Sequence, residues 1–287
     1  MVAVPLHAQP RSAVVTAVDT PIALDGALDE PIWSRAPGIG SLVQRQPRQG
    51  AEPSERTDVT LLYSDTHLYI GIPAHDAEPA RVIGTQMARD GSIASDDRVE
   101  IILDTFRDQC SAFYFATNPS GALVDGLVAN GQLNADWDAI WDVRTRRTDE
   151  GWIAEFAIPF KSLGFPAGAR TWGFNVTRTI HRKLEEVRWS GARLERTSGC
   201  SPFARAISTS ITLRSSIPEH SSSVASNAIC SSSHTSAPSS PTVIPNAIDR
   251  SDLRRGFAAR DVAAHGQAAK SGVQRLRGPL REHRRLG

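Results

Sequence analysis

Cysteine is scarce in this chain, and long apolar runs are missing. The 287 residues include three cysteines, Cys110, Cys200 and Cys230. An odd and scattered set fits neither a disulfide framework nor a metal-ligand pattern, so we expect no structural disulfide. No apolar run approaches the roughly 18 residues of a membrane-spanning helix, which predicts no transmembrane segment.

Net charge is also nearly absent. The formal charge is +1, which gives no electrostatic reason to expect nucleic acid or an anionic membrane as a partner. The exception is the Arg- and Ala-rich stretch from residue 250 onward. A basic tail can attract nucleic acid, but this one has no accompanying motif. We interpret it as a disordered tail and expect no nucleic-acid partner.

All the Trp and Tyr residues lie in the first two thirds of the chain, and only Phe203 and Phe257 are aromatic beyond residue 190. All six Trp and all three Tyr precede residue 190, whereas residues 208–245 are rich in Ser, Thr, Pro and Ala. Such a segment has too little apolar content to offset the conformational entropy that its chain would lose on folding. The composition therefore predicts a folded domain at 13–190 and a disordered tail at 191–287.

The first twelve residues form a separate N-terminal tail. An apolar stretch ends in Leu6-His7-Ala8, a small-residue pattern typical of the end of a secretory signal, but no basic region precedes it. Residues 1–12 are therefore either an irregular tail or the remnant of a longer signal peptide. The second interpretation predicts a periplasmic, outer-membrane-associated or secreted protein.

Residues 95–104 read as an acidic loop that leads into a β-strand. Alternation places Val99, Ile101 and Leu103 on one face, which suits a core. The opposite face carries Arg98 and Glu100. Further short alternating segments joined by turn signals, without regular helices between them, predict an all-β protein, an antiparallel β-sandwich.

Five motifs in a fixed order resemble the carbohydrate-binding module of family 9, in the version found at the N-terminus of bacterial proteins with a predicted outer-membrane β-barrel. The resemblance covers roughly residues 17–190. The motifs begin at Leu24-Asp25-Gly26, Leu68-Tyr69-Ile70, Asp97-Arg98-Val99-Glu100, Gly151-Trp152-Ile153 and Trp172-Gly173-Phe174.

The resemblance implies a β-sandwich that holds a sugar between two Trp side chains, with Glu100 as a hydrogen-bonding ligand. The sequence departs from that pattern in three places. Ala94 stands where the family has its first Trp, and Phe115 or Ala116 falls where the family has a sugar-binding Arg. The second Trp belongs to the part of the domain that the tail replaces.

Two functions from different classes remain open. The first is a non-catalytic module that binds a glycan through Glu100, Arg98, Trp137 and Trp141, the two Trp lying in a polar loop. That module would take part in carbohydrate catabolism beside glycoside hydrolases. The second is a structural accessory domain of a truncated outer-membrane protein, in which both Trp pack onto the sandwich.

The acidic residues suggest two further chemistries. Adjacent carboxylates in one loop and strand do not supply the opposed acid and base of a glycosidase, so we expect no catalysis. Calcium prefers several loop oxygens. The candidate calcium ligands are Asp96 with Asp97, or Asp136 with Asp138.

Overall fold

The computed structural model describes residues 11–129, 132–190 and 209–214. These residues belong to a compact unit that ends at Ser232, and the second unit, Ser233–Gly287, lies outside them. The predicted N-terminal tail, apart from its last two residues, and most of the predicted disordered tail also lie outside the described residues. No helix in the described ranges has the length and hydropathy to cross a membrane.

Thirteen strands and one short α-helix make up the described part of the chain. The strands are β1 (Ser12–Ala17), β2 (Val43–Gln46), β3 (Thr60–Tyr63), β4 (His67–His75), β5 (Arg98–Asp104), β6 (Ser111–Thr117), β7 (Val124–Ala129), β8 (Gln132–Asn134), β9 (Asp142–Thr148), β10 (Gly151–Pro159), β11 (Thr171–Ile180), β12 (Glu185–Arg188) and β13 (Ser210–Leu213). The helix is α1 (Pro31–Arg35), and 3-10 turns occur at Pro79–Arg81, Phe160–Ser162 and His181–Lys183.

The strands form two sheets that share β1. Sheet A runs in the order β8-β7-β6-β5-β11-β13-β1, and sheet B in the order β1-β3-β4-β10-β9. The first half of β1 pairs in parallel with β13, and its second half pairs in parallel with β3. Strand β12 pairs with the C-terminal half of β11 and then with the edge strand β2.

The main core lies between the two sheets and confirms the alternation of β5. Val99, Ile101 and Leu103 are fully buried in it. Sheet B supplies the facing side chains, among them Phe156 and Trp152 of β10. Because successive strand residues point to opposite faces, Arg98 and Glu100 lie on the outer face of sheet A. The predicted all-β sandwich is confirmed.

The segment between β1 and β2 covers the outer face of sheet B. Trp33 of α1 packs there with Ile22, Leu62, Tyr69 and Ala157 in a separate apolar cluster. The residue before the helix, its N-cap, is Glu30.

Glu155 of β10 anchors this covering segment. One of its carboxylate oxygens, Oε2, accepts hydrogen bonds from the backbone N–H groups of Asp25 and Gly26, at 3.1 and 2.8 Å. Gly26 has a φ of +80°, a conformation that side chains disfavour, and this allows the tight turn toward Glu155. The other oxygen, Oε1, is buried without a hydrogen-bond partner.

The end of the sandwich at residue 190 was predicted wrongly. Strand β13 inserts between β11 and β1, with Ile211 and Leu213 buried in the main core. Four residues in a Ser- and Thr-rich stretch are too few to show a periodicity, which is why the composition misassigned them. Strand β8 was likewise missed, because its three residues are all exposed.

Candidate functional site

The outer face of sheet A gathers five charged side chains from three strands. Strand β5 contributes Arg98 and Glu100, β12 contributes Glu186 and Arg188, and β2 contributes Arg45. The register of the strands explains why these side chains lie close together, because Glu100 pairs with Thr177 of β11 and Thr177 pairs with Arg188 of β12. We call these five residues, together with Tyr114 of β6, the outer-face cluster.

Ion pairs hold the cluster together. Arg45 donates from Nε and Nη2 to the two oxygens of Glu186, both at 2.5 Å, in a bidentate pair. Arg188 Nη2 donates to Glu186 Oε1 at 3.0 Å, and Arg98 Nε donates to Glu100 Oε1 at 2.7 Å. These side chains are 14 to 29% exposed, so solvent reaches the cluster.

Burial and the charges of the cluster shift the pKa values of its own side chains. Burial lowers the pKa of Arg188, and the Glu186 charge opposes that effect. The hydrogen bond from Arg45 to Glu186 raises the pKa of Arg45. Burial and then the nearby Glu100 charge raise the pKa of Tyr114 well above its usual 10, so the phenol stays protonated. The Glu100 carboxylate acts on this phenol, and a protonated phenol can only donate to a carboxylate.

Polar atoms without protein partners lie around this cluster. Asn175 and Thr179 of β11 face outward, since Phe174 and Val176 point into the core. Asn175 is 1% exposed. Within the described ranges, its Nδ2, Thr179 Oγ1 and Arg188 Nε are buried without a hydrogen-bond partner. Buried polar groups are usually paired, so these three atoms mark hydrogen-bonding capacity that the described residues leave unused.

Ala94 lies at the edge of the cluster. Arg98 Nη1 donates to the Ala94 carbonyl oxygen at 3.2 Å, and the Ala94 side chain is exposed. A larger side chain at this position would extend over the edge of the cluster. A flat aromatic ring there could cover one side of a molecule bound beside Glu100.

The family model for the carbohydrate family 9 binding domain-like group matches residues 24–189, more than half of the chain. The chain belongs to this family. No curated protein matches the chain at the significance required.

The chain is also similar to several solved structures. A candidate carbohydrate-binding protein from Bacteroides uniformis ATCC 8492 is 14% identical, has a TM-score of 0.55, and covers 71% of this chain and 99% of its own. Two family 9 modules from Caldicellulosiruptor kristjanssonii, in complex with cellotriose and with glucose, are each 16% identical. Their TM-scores are 0.46 and 0.47, and they cover 71 and 72% of this chain and 94 and 98% of their own. At these identities the likeness concerns the fold alone.

The two loop Trp do not join the outer-face cluster of this family 9 domain. Trp141 is 3% exposed, stacks on Phe156 and donates from Nε1 to Asp125 at 3.0 Å. The expectation that Trp141 offers a sugar platform is therefore wrong. Trp137 is half-buried against Phe113 and Phe115, which lie on the opposite face of β6 from Tyr114.

Asp96 and Asp97 fix the loop that precedes β5. Asp96 accepts bonds from the backbone N–H groups of Thr85 and Gln86 and from Asn118 Nδ2, at 2.6 to 3.1 Å. These donors hold the pKa of Asp96 below its usual value, against the effect of burial. Asp97 accepts from the N–H groups of Ile83 and His181. Both carboxylates tie the loop to its neighbours.

The other two predicted calcium ligands, Asp136 and Asp138, are exposed in the loop before β9. Across the described residues, no group of three or more His, Cys, Asp or Glu side chains is placed to hold a metal ion. Calcium at either pair of carboxylates stays a prediction.

Four members of the cluster were not predicted from the sequence: Arg45, Tyr114, Glu186 and Arg188. One signal was present, because Glu186-Val187-Arg188 alternates and Val187 is fully buried, which turns both charges outward. Arg45 gave no signal, because its strand is an irregular edge whose pairing with β12 includes a register shift.

Proposed function

We propose that this domain is a non-catalytic carbohydrate-binding module and that its sugar site is the outer-face cluster. One observation carries the proposal: Glu100 lies partly exposed among three guanidinium groups, on the face of sheet A that points away from the core. Sugar hydroxyls both donate and accept hydrogen bonds. Adjacent carboxylates and guanidinium groups satisfy both roles.

Membership of the carbohydrate family 9 binding domain-like group supports sugar as the class of ligand. The cluster lacks one feature that favours sugars, since its only aromatic side chain among the described residues, Tyr114, is 8% exposed. Recognition would therefore depend on hydrogen bonds more than on ring stacking. We expect modest affinity for that reason.

A second function is favoured by the exposed Ala94 at the edge of the cluster. With no aromatic ring there, the domain could serve as a structural accessory domain of an outer-membrane protein, without affinity for sugar. The charged cluster would then only stabilise the β5–β11–β12–β2 part of sheet A.

We propose in addition that the protein works outside the cytoplasm, in the periplasm, at the outer membrane or after secretion, in carbohydrate catabolism beside glycoside hydrolases. Support comes from Leu6-His7-Ala8, which resembles the end of a secretory signal. Fractionation of cells that express the full gene tests the location, and recovery in the cytoplasm alone would contradict it.

Calorimetric titration of the full chain against neutral and acidic oligosaccharides separates the two functions. Cello- and xylo-oligosaccharides serve as the neutral series. We expect binding to at least one series, and a loss of at least about tenfold in Glu100→Gln, because a charge-assisted hydrogen bond is removed. Glu150→Gln is the control, since that side chain is 80% exposed in the β9–β10 turn. Binding to none of the sugars would overturn the carbohydrate-binding proposal.

A further inference from the structure

The outer-face cluster has more hydrogen-bond donors than acceptors left for a ligand. Both Glu186 oxygens accept from Arg45, and Oε1 accepts from Arg188 as well. Glu100 Oε1 accepts from Arg98 Nε. Each carboxylate of the cluster therefore already accepts from at least one guanidinium group, which leaves fewer acceptor sites than donor sites for a ligand.

The guanidinium groups are not used to the same extent. A guanidinium carries about five N–H donors, so three of them offer about fifteen. In the described part of the chain they make five hydrogen bonds, four to the two carboxylates and one to the Ala94 carbonyl. Arg188 Nε is buried and has no partner among the residues that the structure describes.

The surroundings add little further negative charge to the cluster. The groups that act electrostatically on the three arginines of the cluster are chiefly members of the cluster itself. Three arginines against two glutamates leave the cluster with one net positive charge.

We propose that the sugar bound at this cluster carries a carboxylate, so that the ligand is an oligosaccharide containing uronic acid. The inference rests on the proposed function and specifies its ligand. A planar carboxylate fits the paired N–H groups of a guanidinium, and its single negative charge matches the net charge of the cluster. A neutral sugar would leave that charge uncompensated.

Three matched probes test the inference on the full chain by calorimetric titration. The first is a xylo-oligosaccharide substituted with glucuronic acid, the second is the same molecule with its carboxyl reduced to an alcohol, and the third is a sulfated xylo-oligosaccharide. We expect the uronate to bind about tenfold tighter than its reduced form, as one charge-assisted contact provides. Raising the salt to about 0.3 M should shrink that preference, because exposed charges are screened.

Arg45→Gln tests whether the positive charge of the cluster causes this preference, because the substitution makes the cluster neutral. Arg45 is chosen because its side chain is the most exposed of the three arginines. We expect it to reduce the uronate preference at least about threefold, as expected for one partly exposed charge. Arg35→Gln is the matched control, an exposed arginine on α1 over the other sheet, and it should leave the preference unchanged. If Arg45→Gln does not fold, the salt dependence of the unmodified chain is the measurement that decides.

The outcomes distinguish this inference from the proposed function. Equal affinity for the uronate and its reduced form would overturn the inference and leave carbohydrate binding intact. So would a preference for the sulfated probe, or a uronate preference that persists undiminished in folded Arg45→Gln. Binding to none of the probes or neutral sugars would overturn both.

Discussion

Replacing Glu155 by Gln should stabilise the protein at pH 8 and not at pH 4. Glu155 is fully buried where the segment from Ile22 to Trp33 covers sheet B. Burial is the main cause that raises its pKa to about 7, and the two backbone donors of Asp25 and Gly26 only partly oppose it. The neighbouring charges of Glu30 and Asp25 add to the rise.

The size and sign follow from the difference between folded and unfolded states. The unfolded chain should titrate near the ordinary value of 4.5 and the folded chain near 7. The folded state binds the proton more tightly, so this group favours folding below pH 4.5 and loses that contribution as the pH rises toward 7. At about 1.4 kcal/mol for each pH unit, the loss amounts to about 3 kcal/mol.

Glutamine preserves the shape and removes the charge. Its amide oxygen can accept from Asp25 and Gly26 as Oε2 does, and its NH₂ group would take the position of the unpartnered Oε1. Urea unfolding of both proteins from pH 4 to pH 8 measures the free energy of unfolding of each. We expect the difference between the variant and the parent to grow by about 3 kcal/mol in favour of the variant.

Other carboxylates do not obscure this test. Asp58, Asp76 and Asp96 have lowered pKa values, so their contribution is lost as the pH falls, but they are present in both proteins and cancel in the difference. Glu52→Gln, on an exposed side chain, is the control and should show no pH-dependent difference. A flat difference for Glu155→Gln between pH 4 and pH 8 would refute the reasoning.

Three further predictions concern the site and the sheet edges. Ala94→Trp should tighten sugar binding by about three- to tenfold in the same titrations, because a stacked aromatic adds about 0.5–1.5 kcal/mol. Trp141→Ala should lower the free energy of unfolding by about 3–5 kcal/mol in urea, as for other buried aromatics, with Trp137→Ala costing less. Ile211→Asp should destabilise by at least about 3 kcal/mol or prevent folding, since it places a charge in the core.

Each of these predictions has a control and an outcome that would contradict it. Ser92→Trp changes an exposed position two residues from Ala94 and should not change the affinity for sugar. An equal gain in affinity in Ser92→Trp would show that the effect is not specific to position 94. Equal losses in the free energy of unfolding for Trp137→Ala and Trp141→Ala would contradict the different burial of the two side chains. Thr212→Asp is the control for Ile211→Asp, because Thr212 is the half-buried neighbour on the opposite face of β13. A loss in the free energy of unfolding as large as that of Ile211→Asp would contradict the assignment of the two faces.

Much of the fold could be read from local patterns, and the site only in part. The β5 alternation placed Arg98 and Glu100 on one face because strand geometry alone decides it. Their companions come from β12 and β2, which reach them only through the order β5-β11-β12-β2, and such pairing between distant strands leaves no local trace. Trp141 was misassigned for a related reason, since its polar loop conceals the buried acceptor Asp125.

The sharing of β1 between the two sheets sets a condition on synthesis. Ser12, near the start of the described chain, pairs with Ser210, near its end, so sheet A closes only when β13 is available. Contacts this far apart in sequence form slowly. Until then residues 12–15 of β1 and residues 171–173 of β11 lack their β13 partner and present open edges, which are templates for aggregation. A chain whose synthesis stops before residue 213 would contain most of the core but would lack all or part of β13, the strand that pairs with both β11 and β1.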